Sequence, residues 1–155
     1  MNTPQAASDH FIVFELAGST YAVRSRDVQL IDMVDHITPV PNARASVEGL
    51  VFSRGDILPA INLRTQFGFE KIPYGLRTRL LVIQHAGRKV GLIVDTAREF
   101  LRIAADAVTP PPDTIGGIGA RYLEGIARLD DRLILIVNLD ALLDLADVSA
   151  ALATI

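Results

Sequence analysis

The sequence predicts a mainly β protein made of two similar modules. Two observations carry that expectation: one segment occurs twice, and short apolar runs are punctuated throughout by Gly and Pro. Residues 48–64, EGLVFSRGDILPAINLR, return as residues 124–140, EGIARLDDRLILIVNLD. Glu48/Glu124, Gly49/Gly125, Asn62/Asn138 and Leu63/Leu139 are each 76 apart. Each copy opens on Gly, turns through charged residues (Gly55-Asp56 or Asp130-Asp131), runs apolar and stops at Asn-Leu, as a β-hairpin would. A lone hairpin cannot bury its own apolar face, so a repeated one implies two halves packed together.

Two further matches follow the same order. Ala17-Gly18-Ser19-Thr20-Tyr21-Ala22-Val23 resembles Ala86-Gly87-Arg88-Lys89-Val90-Gly91-Leu92 at an offset of 69. Ile37-Thr38-Pro39-Val40-Pro41 resembles Val108-Thr109-Pro110-Pro111-Pro112 at an offset of 71. Any one match could reflect the common look of hairpins. Three in order, with slowly growing offsets, indicate an internal duplication with modules at about 10–75 and about 76–145.

The elements can be read in order. Residues 11–16 and 20–24 flank Ala17-Gly18-Ser19 as a hairpin. Residues 26–34 fit a short helix or a bent strand, followed by an extended connector at Pro39 and Pro41. Residues 49–53 and 57–62 form the repeated hairpin. Pro59 cannot donate to a ladder, which places its strand at an edge or a bulge. Residues 63–67 read as one helical turn ended by Gly68, and residues 71–78 as the linker between halves. In the second half, 79–84 and 90–94 pair around Ala86-Gly87, and 97–103 repeats the short strand or helix. Residues 109–113 are Pro-rich, and Gly116, Gly117 and Gly119 form a flexible loop. Residues 122–129 and 133–138 form the last hairpin, and 139–148 have the apolar spacing of a C-terminal helix. Many short strands with Gly and Pro turns suit small barrels or sandwiches. Residues 1–9 read as a tail and 146–155 as the end of the last helix or a second tail.

Composition bounds the function. Half of the 155 residues are hydrophobic, enough for one sizeable core or two small ones. No apolar stretch is long enough to span a membrane, and the N-terminus lacks the pattern of a secretory signal. The absence of Cys excludes disulfides and thiolate metal sites and is compatible with the cytoplasm. A net charge of −3 argues against general nucleic-acid binding. Only Lys71 and Lys89 are Lys, so the remaining cations are multi-donor Arg side chains suited to protein contacts.

Reactive constellations are missing. His10, His36 and His85 share no ligand spacing, and no GxSxG motif surrounds any Ser. Asp130-Asp131 reads as a solvated turn. The Gly116–Gly119 run lacks the phosphate-loop pattern. Phe11, Phe14 and Phe52 sit in strand patterns and are assigned to the core. The sequence therefore calls for no enzyme activity and no cofactor. A small-ligand or nucleotide-binding β-barrel is the alternative, supported only by the Pro-rich connectors and the Gly loop.

The order of motifs resembles the CheW family of chemotaxis coupling proteins. The likeness rests on Gly18-Ser19-Thr20-Tyr21-Ala22-Val23, Val28-Gln29-Leu30-Ile31, Thr38-Pro39-Val40-Pro41 and residues 49–64. It continues through Val90-Gly91-Leu92-Ile93-Val94-Asp95, Pro110-Pro111-Pro112 and Tyr122-Leu123-Glu124-Gly125. The resemblance implies two five-stranded SH3-like barrels packed on each other, and short helices including a C-terminal one. It implies a noncatalytic adaptor of two-component signal transduction in the cytoplasm. Such an adaptor binds the regulatory domain of the histidine kinase CheA and the cytoplasmic tip of chemoreceptors, and joins receptor arrays through protein contacts without entering the membrane. Exposed strand edges would also permit weak self-association.

Carried over by motif, receptor contact falls on Val28, Leu30, Arg54, Ala97 and Gly125, and kinase contact near Gly49 and Gly91. Arg54 would offer a long cation at a hairpin turn. The glycines could equally serve bulges or tight packing, and Val28 and Ala97 could be core. The family's Glu in Val-x-Glu is Leu30 here, its Asn-Leu before the Arg is Phe52-Ser53, and its later Asp-Leu-Arg is Asn62-Leu63-Arg64. Losing a charge from an interface changes which partner is tolerated, so these departures suggest tuning to a particular receptor–kinase array.

Overall fold

The computed structural model describes residues 8–112 and 120–143. The first half supplies β1 (Ser8–Leu16), β2 (Ser19–Arg24), a 3-10 turn (Ser25–Asp27), β3 (Val28–Met33), β4 (Val47–Ser53), β5 (Asp56–Asn62) and helix α1 (Leu63–Gln66). The second supplies β6 (Arg79–His85), β7 (Arg88–Val94), β8 (Thr96–Ala104), a 3-10 turn (Ala105–Ala107), β9 (Val108–Thr109), β10 (Leu123–Leu129), β11 (Arg132–Val137) and helix α2 (Leu139–Leu143). The turns Ala17-Gly18 and Ala86-Gly87 all take positive φ, which suits a two-residue hairpin loop. Asn62 and Asn138 are helix caps: their side chains accept hydrogen bonds from the Thr65 and Ala141 amides.

The strands form two sheets, ordered β8-β1-β2-β11-β10-β9 and β3-β6-β7-β5-β4. Neither sheet is one half of the chain. The hairpin β1–β2 joins β8–β11 of the second half, and β6–β7 joins β3–β5 of the first. A division at 75/76 therefore cuts through both sheets instead of separating them. The exchange is symmetric. The parallel contact Ile136↔Ala22 in the first sheet occupies the same repeat positions as Ala60↔Gly91 in the second. One departure from five strands per sheet is β9, which pairs with β10, whereas its counterpart Thr38 makes only an isolated bridge to Leu50.

Period-two alternation sorts the apolar residues into three cores. Phe11, Val13, Ala22, Ile103, Ala127, Ile134 and Ile136 fill the first sheet. Ile103 on β8 and Ala127 on β10 share this cluster although three strands separate them, so the sheet is curled. Val51, Leu58, Ala60, Leu80, Val82 and Ile93 fill the second. The opposite faces of the same strands, including Leu16, Tyr21, Ile61, Leu81, Ile83, Leu92 and Val137, meet between the sheets with Leu63, Leu139 and Leu142 of the helices. Strands buried on both faces read as continuous apolar runs, which is why 80–83 and 134–137 show no alternation.

Several expectations change. Of the helix and strand alternatives at 26–34 and 97–103, the structure takes the strand, over Val28–Met33 after the 3-10 turn and within Thr96–Ala104, each bent by a register shift: between Val28 and Leu30 in β3, and opposite Ala97–Glu99 where β8 meets β1. Pro59 lies on an interior strand, not an edge. Its missing N–H is tolerated because pairing of β5 with β7 starts one residue later, at Ala60. The sheet takes in Ser8 and Asp9, the last residues of the expected N-terminal tail. The loop expected at Gly116–Gly119 and the helix expected beyond Leu143 fall outside the described residues.

Candidate partner interface

Four of the seven candidate residues, Leu30, Gly91, Gly49 and Gly125, fall on two corresponding rows that cross the sheets. In the second sheet the register runs Leu30↔Val82↔Gly91↔Ala60↔Gly49. In the first it runs Glu99↔Val13↔Ala22↔Ile136↔Gly125 at the corresponding repeat positions. Both rows end on a glycine where the hairpin ladder shifts register.

The glycines are buried and tightly approached. A Cβ on Gly49, whose φ is +149°, would lie 2.1 Å from the Thr38 carbonyl oxygen. One on Gly125 would meet Val108 Cγ1 at 2.5 Å, and one on Gly91 would meet Leu80 Cδ1 at 2.7 Å. Thr38 and Leu50 exchange two backbone hydrogen bonds of 2.9 and 2.8 Å, so the carbonyl facing Gly49 is held firmly. Close internal approach is thus a sufficient reason for all three. Val28 and Ala97 are half-buried against the central core, and Leu30 packs on the core of its own sheet.

The row ends differ chemically. Glu99 accepts hydrogen bonds from Arg132 Nη1 and Nη2 at 3.0 and 3.3 Å, joining β8 to β11. Leu30 offers no charge, and Asp56, at the repeat position of Arg132, is bonded by Lys89 instead. Leu30 packs inward on β3, whereas Ile31 and Met33 lie on the opposite face of that strand and are exposed.

Arg54 lies at the tip of β4–β5, exposed, with φ 48°. It makes no hydrogen bond or ion pair among the described residues. Beside it, Phe52 and Ile57 form a cross-strand pair that is 75% and 64% exposed. Phe52 is therefore not core. Val47, Gly49, Val51 and Ser53 take the inward parity of β4, which forces Phe52 outward. That parity was the sequence signal for this pair. Next to the tip, a hollow of 620 Å³ lies between the two edges of the sheet, lined by Met33, Val34, Leu50, Phe52 and Leu80 with Asp32, Asp35 and His36 around it. At the other tip, the pair corresponding to Phe52/Ile57 is Arg128/Leu133, beside exposed Asp130 and Asp131.

A second hollow, of 460 Å³, opens in the first sheet among Phe11, Arg24, Ile103, Val108 and Ile136. The Arg24 guanidinium there is engaged by Glu124 through both terminal nitrogens and by Asp9 at 3.1 Å. Those bonds hold Arg24 above its ordinary value despite burial. The cation is already satisfied from within the chain.

Ion pairs fix the frame around the candidate surfaces. Arg64 Nε and Nη2 donate to the two oxygens of Asp95, both at 2.7 Å, and the Ala17 amide donates to Asp95 at 2.9 Å. Burial pushes the Asp95 carboxyl up, but Arg64 and the Ala17 N–H outweigh it and hold it below its ordinary value. Glu48 accepts from Asn62 at 3.1 Å and from Lys71 at 2.8 Å, tying down the linker. Burial and the Glu48 carboxylate push the Tyr74 phenol up to about 12.

A family model for the CheW-like domain matches residues 10–147. The chain belongs to the CheW-like family. Among curated CheW-like relatives, the chemotaxis protein CheW of Klebsiella aerogenes is 28% identical over 139 residues, covering 90% of this chain and 84% of that protein. The protein of the same name from Bacillus subtilis is 26% identical, covering 88% and 87%. The protein FrzA of Myxococcus xanthus is 28% identical, covering 76% and 73%. Among solved structures, the scaffolding protein TtCheW from Thermoanaerobacter tengcongensis superposes with a TM-score of 0.83 at 32% identity, covering 90% of this chain and 94% of that one. Membership in the CheW-like family makes this a chemotaxis scaffold protein, and the mainly β architecture of two sheets is the family's fold. None of the described helices is long and apolar enough to cross a membrane.

Proposed function

We propose that this chain is a noncatalytic adaptor that couples chemoreceptors to the histidine kinase CheA, acting in the cytoplasm at membrane-bound receptor arrays. The observation that carries this reading is the β4–β5 tip, where Arg54, unengaged among the described residues, stands beside the exposed Phe52–Ile57 pair. Apolar side chains flanking a multi-donor cation have the composition of a protein-contact hot spot. Receptor contact falls on Val28, Leu30 and Arg54, with Ala97 and Gly125 at the corresponding bends of the other sheet. Kinase contact falls near Gly49 and Gly91, which are internal and act by shaping the surface above them. Leu30 in place of an acidic residue favours a partner that presents an apolar group at that point.

Gel filtration of the protein with a CheA regulatory domain, and separately with a receptor cytoplasmic fragment, tests the reading. Co-elution with both is expected. Failure to form either complex at about 50 µM, a weak-interface scale, would count against it.

A further inference from the structure

His85 closes a junction that the adaptor reading does not use. It ends β6 beside the Ala86-Gly87 turn. Its Nδ1 lies 3.1 Å from Asp27 Oδ1 of the first 3-10 turn, and its Nε2 lies 2.7 Å from Asp140 Oδ1 of α2. A neutral imidazole has one donor and one acceptor nitrogen, and an ionised carboxylate only accepts. Two such contacts need two N–H groups, so the geometry requires the imidazolium.

We propose that His85 is a proton-dependent clamp that holds the C-terminal helix α2 on the β6–β7 hairpin and opens as the imidazole loses its proton. The groups around it set the balance. The 3-10 turn contributes the Asp27 carboxylate, whereas its Arg26 turns to Asp9 at 3.4 Å. The neighbouring β3 contributes only the neutral Gln29, bonded to Gln84. On β7, Arg88 faces His85 in the register and donates to the Leu143 carbonyl of α2, and Lys89 is bonded to Asp56. Helix α2 contributes Asp140. Among the described residues two carboxylates thus oppose one nearby cation, and the charged imidazole is favoured. The Asp27 bond, aided by Asp140, raises the imidazole above its ordinary 6.5 despite burial.

Exposure decides which bond lets go. The Asp27 side chain is 13% exposed and that of Asp140 is 79% exposed. Water can replace the imidazole at Asp140 but not at Asp27. The neutral ring therefore keeps its proton on Nδ1, towards Asp27, and releases Asp140. A hollow of 270 Å³ lined by His85, Ala86, Arg88, Asp140 and Leu143 gives that carboxylate room to move. Leu139, Leu142 and Leu143 of α2 belong to the core between the sheets, so the clamp secures one end of that core. The sign follows: the stabilisation is fully present below 6.5 and lost as pH rises through the higher folded-state value.

The test is nitrogen-15 NMR of the His85 ring together with amide exchange at Leu142, whose N–H bonds to Asn138 O in the first turn of α2. Both are followed from about pH 6 to about pH 9 in the native chain, His85→Gln and Asp140→Asn. The expected result is a ring midpoint above 6.5 that falls in Asp140→Asn. Exchange at Leu142, corrected for intrinsic base catalysis, should rise about threefold or more across the window and stay flat in His85→Gln. A ring that titrates at or below its ordinary value, or a corrected exchange profile the same in His85→Gln as in the native chain, would overturn the clamp.

Discussion

The two sheets share one plan of strand register and differ at their rims. Both rows cross five strands in the same order, and both hairpins bend at the glycine that ends the row. At the rims, Glu99–Arg132 answers Leu30, and Asp130-Asp131 answers Arg54-Gly55. The first sheet satisfies the Glu99 charge internally. The second presents an apolar edge and, at its tip, a cation unengaged among the described residues. Duplication fixes what must pack, and divergence concentrates where packing places no demand.

The most damaging break in this comparison is expected at the row ends. Gly49→Ala places a methyl group against a fixed carbonyl on a backbone that side chains rarely adopt, and should cost about 4 kcal/mol in chemical denaturation. Gly125→Ala meets first a side-chain methyl of Val108 and should cost about 2 kcal/mol. Equal losses would show that the two bends are not distinguished by the backbone carbonyl at Thr38.

A smaller effect is expected at the junctions. The turn Ala17-Gly18 is held by Arg64–Asp95, and the turn Ala86-Gly87 is flanked by His85 with Asp27 and Asp140. Arg64→Ala leaves Asp95 with the Ala17 amide as its remaining donor and should cost about 2 kcal/mol. Asp95 is held below its ordinary 3.8, so its stabilisation is present above that value and lost as pH falls through the lower folded-state value. Acid denaturation midpoints should therefore move upward in Arg64→Ala, away from the range in which His85 acts. Leu30→Glu puts a carboxylate at a half-buried edge and should cost about 1 kcal/mol, read as a shift in the denaturant midpoint, while changing which receptor fragment binds. Unaltered binding to every fragment would remove residue 30 from the recognition surface. Substitutions at the exposed tips should move stability least, within about 0.5 kcal/mol.

The duplication, the hairpins and the Asn-Leu stops at 62–63 and 138–139 were legible because local spacing encodes them; that Asn62 and Asn138 cap helices emerges only from their bonds to the Thr65 and Ala141 amides. The exchange of hairpins between halves was not, because β2 meets β11 and β7 meets β5 across more than 100 and about 30 residues respectively, pairings that no periodicity announces. Pro59 misled because its neighbouring ladder begins one residue late. Phe52 misled because a large aromatic in a strand pattern suggests core, whereas the inward parity belongs to Val51 and Ser53. His85 carried no ligand spacing, and its partners lie 58 and 55 residues away. Of the candidate contacts, Arg54 was legible as a turn residue, but its apolar companions at 52 and 57 emerge only from the register.

The central claim is that the β4–β5 tip, and not its counterpart on β10–β11, carries receptor contact. Isothermal titration of a receptor cytoplasmic fragment with the native chain, Arg54→Glu and Asp130→Arg tests it most directly, with thermal unfolding as the control. The account predicts that Arg54→Glu weakens binding by about tenfold or more with an unchanged melting temperature, and that Asp130→Arg binds like the native chain. Equal affinity in all three proteins, or a loss confined to Asp130→Arg, would contradict it.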